Sequence, residues 1–108
     1  MEPRPRIIEM YIAPGGECPF REFLDGLDNQ PVQSHLLARL ARLRQGGFGD
    51  WKPLDDGVSE LRVHHGPGYR LYFGIDGDTV VMLCGGKKSR QNKDLARAKR
   101  FWRDYCEK

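Results

Sequence analysis

The chain predicts an α+β domain: helices over one twisted, mainly antiparallel sheet, in the order β-α-α-β-β-β-β-α. Three observations carry this. Two stretches within residues 19–45 repeat apolar residues at helical spacing. Five short stretches alternate or run apolar between Gly, Pro and Asp punctuation. A basic stripe with helical spacing closes the chain.

The first strand is Arg6 to Ile12, with Ile8, Met10 and Ile12 on one face and Ile7, Glu9 and Tyr11 on the other. Pro14-Gly15-Gly16 ends it. Pro19 suits the first position of a helix, and Phe20, Phe23, Leu24 and Leu27 follow as one stripe. Asp28 to Pro31 breaks that helix. A second runs from about Val32 to Gln45, its buried face marked by Val32, Leu36, Leu40 and Leu43 with Leu37 beside them, and Arg39, Arg42 and Arg44 off centre. Gly46-Gly47 stops it, which makes the pair a helical hairpin.

Trp51 to Leu54 reads as an edge segment, because Pro53 has no N–H to donate to a central ladder. Val58 to His65 and Tyr69 to Ile75 are strands joined at Gly66-Pro67-Gly68. Asp76-Gly77-Asp78 is a hairpin signal leading into Thr79 to Cys84, apolar almost throughout, as a strand covered on both faces would be. Gly85-Gly86 is expected to end the sheet. The last helix runs from about Asn92 to Tyr105, with Leu95, Ala98, Trp102 and Tyr105 inward and Lys93, Arg97, Lys99, Arg100 and Arg103 on the remaining faces.

At 108 residues the chain holds one domain, 1–108. No run of 18 apolar residues spans a membrane, and the N-terminus, with Glu2 and Glu9, lacks the apolar core of a secretory signal. Cys18, Cys84 and Cys106 are odd in number and without metal-ligand spacing, so they read as reduced thiols of a cytoplasmic protein. No His/Asp/Glu cluster stands at ligand spacing, and neither a metal nor a small-molecule cofactor is expected. The net charge of +3 is unevenly spread: residues 87–108 hold nine Lys/Arg against three Asp/Glu, while the rest is net acidic. A basic end on an acidic body fits either a polyanion-facing surface, RNA first among polyanions, or a solvated helix.

Alternation places Leu61 and Val63 on one face and Glu60, Arg62 and His64 on the other. In the next strand Tyr69, Leu71, Phe73 and Ile75 share a face, opposite Arg70 and Tyr72. Arg62, His64, Arg70 and Tyr72 are thus expected together on an open sheet face. Cleaving RNA through its own 2′-hydroxyl needs a base, an acid and cations on the phosphorane. Arginine forks suit the phosphate, histidine titrates near neutrality, and Tyr72 suits base stacking or proton transfer. Lys87, Lys88 and Arg90 follow the last strand within reach of the same face. The plain alternatives stand beside this: Arg62 and Arg70 pairing with Glu60 or Asp55, His64 and His65 as exposed hairpin residues, Tyr72 as a packing partner.

The stretches Phe48-Gly49-Asp50, Gly57 to Arg62, Gly66 to Arg70, and Leu83 to Gly86 before Lys88-Ser89 and Gln91 resemble the RelE/ParE superfamily of bacterial toxins, in particular its HigB-like addiction-module killer group. The resemblance covers about residues 20–105. It implies a RelE-like fold, with two N-terminal helices and one C-terminal helix on the sheet, and the toxin half of a type II toxin–antitoxin pair. The partner is a helix-turn-helix antitoxin. The substrate is mRNA, cut typically on the ribosome; ParE-like relatives instead inhibit DNA gyrase, and a non-toxic binding domain is a third reading. By resemblance, Arg62 and Arg70 contact the scissile phosphate region and Lys88 assists; His64 and Tyr72 are the acid and base candidates from their side-chain chemistry, not from the resemblance. Lys52, Lys87, Arg90, Lys93 and Arg97 are the expected RNA contacts. Lys87 and Arg90 make this chain more basic than many of the group, and Asp94 stands near where some RelE proteins carry a catalytic tyrosine.

Overall fold

The computed structural model describes residues 4–108; Glu2, read above as part of a polar N-terminus, lies outside them. The strands are β1 (Ile7–Met10), β2 (Trp51–Pro53), β3 (Ser59–Val63), β4 (Tyr69–Asp76) and β5 (Thr79–Lys87), and the helices α1 (Pro19–Asp25), α2 (Gln30–Arg44) and α3 (Gln91–Cys106). The sheet order is β1-β5-β4-β3-β2, with β1 parallel to β5 and every other pair antiparallel. The α+β class and the element order are therefore those the residue pattern predicts.

Local chemistry accounts for the boundaries. Pro19 opens α1, where a missing N–H costs nothing. The Asn29 side chain caps α2 by accepting from the Val32 N–H at 3.1 Å, so Pro31, expected as a breaker, stands in the first turn of the helix. At the β4–β5 hairpin, Gly77 takes φ +61° at the first position of a two-residue loop, a conformation cheap for glycine.

Each sheet face carries its own core. On one side α1 and α2 bring Phe20, Leu24, Leu36, Leu40 and Leu43 onto Leu61, Val63, Leu71, Phe73 and Met82. On the other, α3 lays Ala98 and the partly buried Leu95, Phe101, Trp102 and Tyr105 over Val58, Tyr72, Val81, Leu83 and Cys84. Between Met82 and Cys84 the register slips opposite Tyr72/Phe73, so Leu83 and Cys84 both join the α3 side.

Several expectations need correction. The Arg62/Arg70/Tyr72 face is not open, because α3 roofs most of it. Gly85-Gly86 does not end the sheet: β5 continues to Lys87. Those two positions lack side chains because a Cβ at Gly85 would stand 2.7 Å from the Phe23 ring, and one at Gly86 would meet the Asp94 carboxylate. Leu37 is exposed, whereas Arg39 is buried. Periodicity ranks hydrophobicity but cannot see that two backbone carbonyls await a guanidinium at Arg39.

Candidate functional site

The site begins with strand pairing. Arg62 and Arg70 stand directly opposite each other on β3 and β4, and the next row of the same face is Lys52–Glu60–Tyr72 across β2, β3 and β4. Opposed like charges repel unless something compensates. Glu60 does so. Its Oε1 accepts from Arg62 Nε at 3.0 Å, and its Oε2 lies 3.8 Å from Arg70 Nε. Beside these groups is a cavity of about 270 Å³, lined by Lys52, Leu54, Glu60, Arg62, Arg70 and Tyr72 from the sheet side, with Gln91, Asn92 and Leu95 of α3 as the roof. Three cations face one carboxylate there. The positive end of α3 adds to the same field.

The two arginines differ in how their donors are used. Arg62 is engaged by Glu60, and by Asp50 at 4.0 Å. The Arg70 side chain is only 11% exposed, and among the described residues it makes an ion pair but no hydrogen bond. A nearly buried guanidinium with unspent donors beside a cavity is costly unless an acceptor arrives. A tetrahedral oxyanion supplies acceptors in the geometry of the fork.

The backbone beneath Arg62 is fixed from the opposite face. Buried Arg39 donates from Nη1 to the Arg62 carbonyl at 2.8 Å and from Nη2 to the Phe48 carbonyl at 3.2 Å. Burial, then the nearby Arg42 charge, lowers its proton affinity. Gly49 takes φ +66° against this guanidinium, and a Cβ there would stand 2.9 Å from Nη2. The turn leads to Asp50, whose carboxylate meets His64 Nε2 at 2.6 Å. That hydrogen bond holds the Asp50 carboxyl below its ordinary range. Asp50 thus links an exposed His64 imidazole to Arg62.

The structure gathers Lys52, Arg62, Arg70 and Tyr72 at one cavity, while His64 lies outside its lining, bonded to Asp50. Tyr72 does not present its phenol for chemistry. It is 1% exposed, its hydroxyl donates to the Gln91 carbonyl at 3.3 Å, and burial followed by the Glu60 charge pushes its proton affinity well up. Its ring packs in the core under α3 and its hydroxyl is engaged by the Gln91 carbonyl. His65 stacks on His35, ring centroids 4.9 Å apart. Lys88 lies in the turn between β5 and α3, its N–H donating to the Gly68 carbonyl. Lys87, Arg90 and Arg97 line a different cleft of about 430 Å³, between α1 and α3, with Phe23, Leu27 and Tyr69. Arg97 is held there by the buried Asp94 at 3.3 Å. Lys93 is exposed on α3.

The plain alternative of Arg62 and Arg70 pairing with Glu60 is what the structure shows, whereas the sequence pattern gives no role to Asp50, Arg39 or the Gln91-Asn92 roof. Glu60 was legible as a face-mate of Arg62 two residues away. The other contacts join positions at least nine apart, and no local pattern announces them. Among the described residues no group of three or more His, Cys, Asp or Glu is placed to hold a metal ion, and no helix is long and apolar enough to cross a membrane.

Fold and site define a class: a small α+β domain whose sheet carries a roofed, cation-lined cavity sized for an anionic group. Residues 22–102 match the family described as Phage derived protein Gp49-like (DUF891). Over 81 residues the chain is 44% identical to an uncharacterized protein of Haemophilus influenzae, covering 74% of this chain and 82% of that protein. No solved structure matches the chain. The chain belongs to the Gp49-like family, a RelE-like family of the toxin type, and membership implies an antitoxin partner.

Proposed function

We propose that this protein is an endoribonuclease toxin of the HigB-like kind, cutting mRNA on the ribosome and silenced by a helix-turn-helix antitoxin. The observation that supports this best is Arg70, nearly buried, with unspent donors, directly across from Arg62 at a cavity wall. The pair holds the scissile phosphate in two forks and stabilises the charge that builds on its equatorial oxygens. Lys52 and Lys88 supply further positive charge around it. His64, oriented by Asp50, gives its proton to the departing 5′-oxygen. The chemistry is carried by side chains, and a chelator does not stop it.

The test is incubation of purified protein with mRNA, with and without ribosomes, in EDTA, followed by mapping of 5′ ends. Discrete cuts that leave 5′-hydroxyl ends, and that Arg70→Ala reduces at least a hundredfold, are the expected result. Intact RNA under both conditions, with DNA damage signalling on induction in cells, would transfer the toxin to the gyrase-directed class.

A further inference from the structure

We infer that Glu60 is a catalytic residue, the group that takes the proton from the attacking 2′-hydroxyl. The inference rests on the ribonuclease reading and adds to it the proton acceptor that the paired arginines lack. Among the residues lining the cavity Glu60 is the one carboxylate, and its side chain is 11% exposed. The other base considered, Tyr72, is sealed under α3 with its hydroxyl spent on a carbonyl. His64 is bonded to Asp50 outside the cavity lining, and the proposed function assigns it as the acid.

The environment of Glu60 suits the task. Facing it are Lys52 from β2, Arg62 on its own strand and Arg70 and Tyr72 from β4, while α3 contributes only the neutral Gln91, Asn92 and Leu95. Arg62 and Arg70 hold the carboxylate in ion pairs. When a phosphate enters, its oxygens compete for the same guanidinium donors. Arg62, now 3.0 Å from Glu60, and Arg70, at 3.8 Å, turn part of their donors to the phosphate. Glu60 is thereby released from these partners at the moment a 2′-hydroxyl stands next to it.

The step balances. The Glu60 carboxylate receives the 2′-proton, and the 2′-oxygen forms a bond to phosphorus. The bond from phosphorus to the 5′-oxygen breaks with its electron pair on that oxygen, which takes a proton from the His64 imidazolium. The products are a 2′,3′-cyclic phosphate and a 5′-hydroxyl. Glu60 then releases its proton to solvent and His64 takes one up.

Glu60→Gln keeps the size and the acceptor oxygen but removes the basicity. It is expected to slow cleavage by about 10²–10⁴-fold, the usual share of general acid–base catalysis. Binding of fully 2′-O-methylated RNA, which has no 2′-hydroxyl to activate, should be unchanged or tighter, because a negative charge has left the cavity. The low-pH limb of the rate profile should be present in wild type and in Glu60→Asp but absent in Glu60→Gln. Glu60→Gln cutting within about threefold of wild type overturns the inference and leaves the ribonuclease reading standing. So does a parallel loss of binding and cleavage, which would make Glu60 only a prop for the arginines. If Glu60→Gln fails to fold by circular dichroism, Glu60→Asp decides alone: loss of its low-pH limb overturns the inference and retention supports it. A wild-type protein that leaves RNA intact sinks the ribonuclease reading, and the inference with it.

Discussion

At the scale of single residues, burial separates chemistry-bearing types that look equivalent in a sequence. Arg70 and Tyr72 occupy the same face of β4, two residues apart, yet Arg70 keeps donors toward the cavity while Tyr72 is sealed beneath α3. Alternation predicted the shared face correctly; it could not predict the roof, since a helix from the far end of the chain supplies it. Tyr72→Phe therefore has a stability phenotype and little else. Losing the 3.3 Å bond to the Gln91 carbonyl should cost about 1 kcal/mol in urea unfolding, the ordinary net worth of such a bond. Cleavage should stay within about threefold of wild type, well short of the hundredfold that a proton-transfer residue commands. A drop of that larger size with an unchanged fold would restore the phenol to the mechanism.

At the scale of elements, the two faces of the sheet are tied down by different means. The α1/α2 side is packed hydrocarbon, and its stripes were readable from spacing because burial there is continuous. The α3 side mixes packing with polar ties, among them Tyr11 Oη donating to Asp104 at 2.6 Å, which joins the end of β1 to α3. Burial first, then that bond, raises the Tyr11 phenol to about 12. In the unfolded chain the group titrates near 10. Between those values the folded state binds more protons than the unfolded one, so stability falls as pH rises. The Tyr11 contribution is intact below about pH 10 and is lost by about pH 12. Melting temperature should decline through this window, and Tyr11→Phe should flatten part of the decline while lowering stability at pH 7. Tyr105, bonded to Asp76, and buried Cys84, each raised to about 12, account for a remaining slope. An identical alkaline profile in Tyr11→Phe would remove Tyr11 from this account. No sequence pattern announces the tie, because its partners lie 93 residues apart.

At the scale of the whole molecule there are two separate cationic surfaces, and the basic C-terminal stretch supplies only one of them. One is the cavity, with Lys52, Arg62 and Arg70; the other is the larger cleft, rimmed by Lys87, Arg90 and Arg97. The first turn of α3 separates them: Gln91 and Asn92 face the cavity, while Arg90 and Asp94 face the cleft. The basic tail was visible in composition, but the second cationic surface was not, because its cations come from the net-acidic part of the chain. RNA engaged by the cavity alone, through three phosphate contacts, should show a slope of log affinity against log salt of about −2, at about 0.7 per contact on single strands. RNA that continues over the α3 turn into the cleft gains Lys87 and the exposed Arg90, which lies 4.0 Å from Asp94, whereas Arg97 is held by that carboxylate at 3.3 Å. The slope then steepens to about −3.5. The exposure of Lys87 and Arg90 beside Lys88 favours the longer path. Replacing Lys87 and Arg90 together by alanine should thus lower the slope by about 1.4, whereas Lys93→Ala, facing neither surface, should leave it alone. Titration of 2′-O-methylated RNA between 50 and 300 mM KCl reads both changes. A double variant with the wild-type slope would confine the bound strand to the arginine cavity.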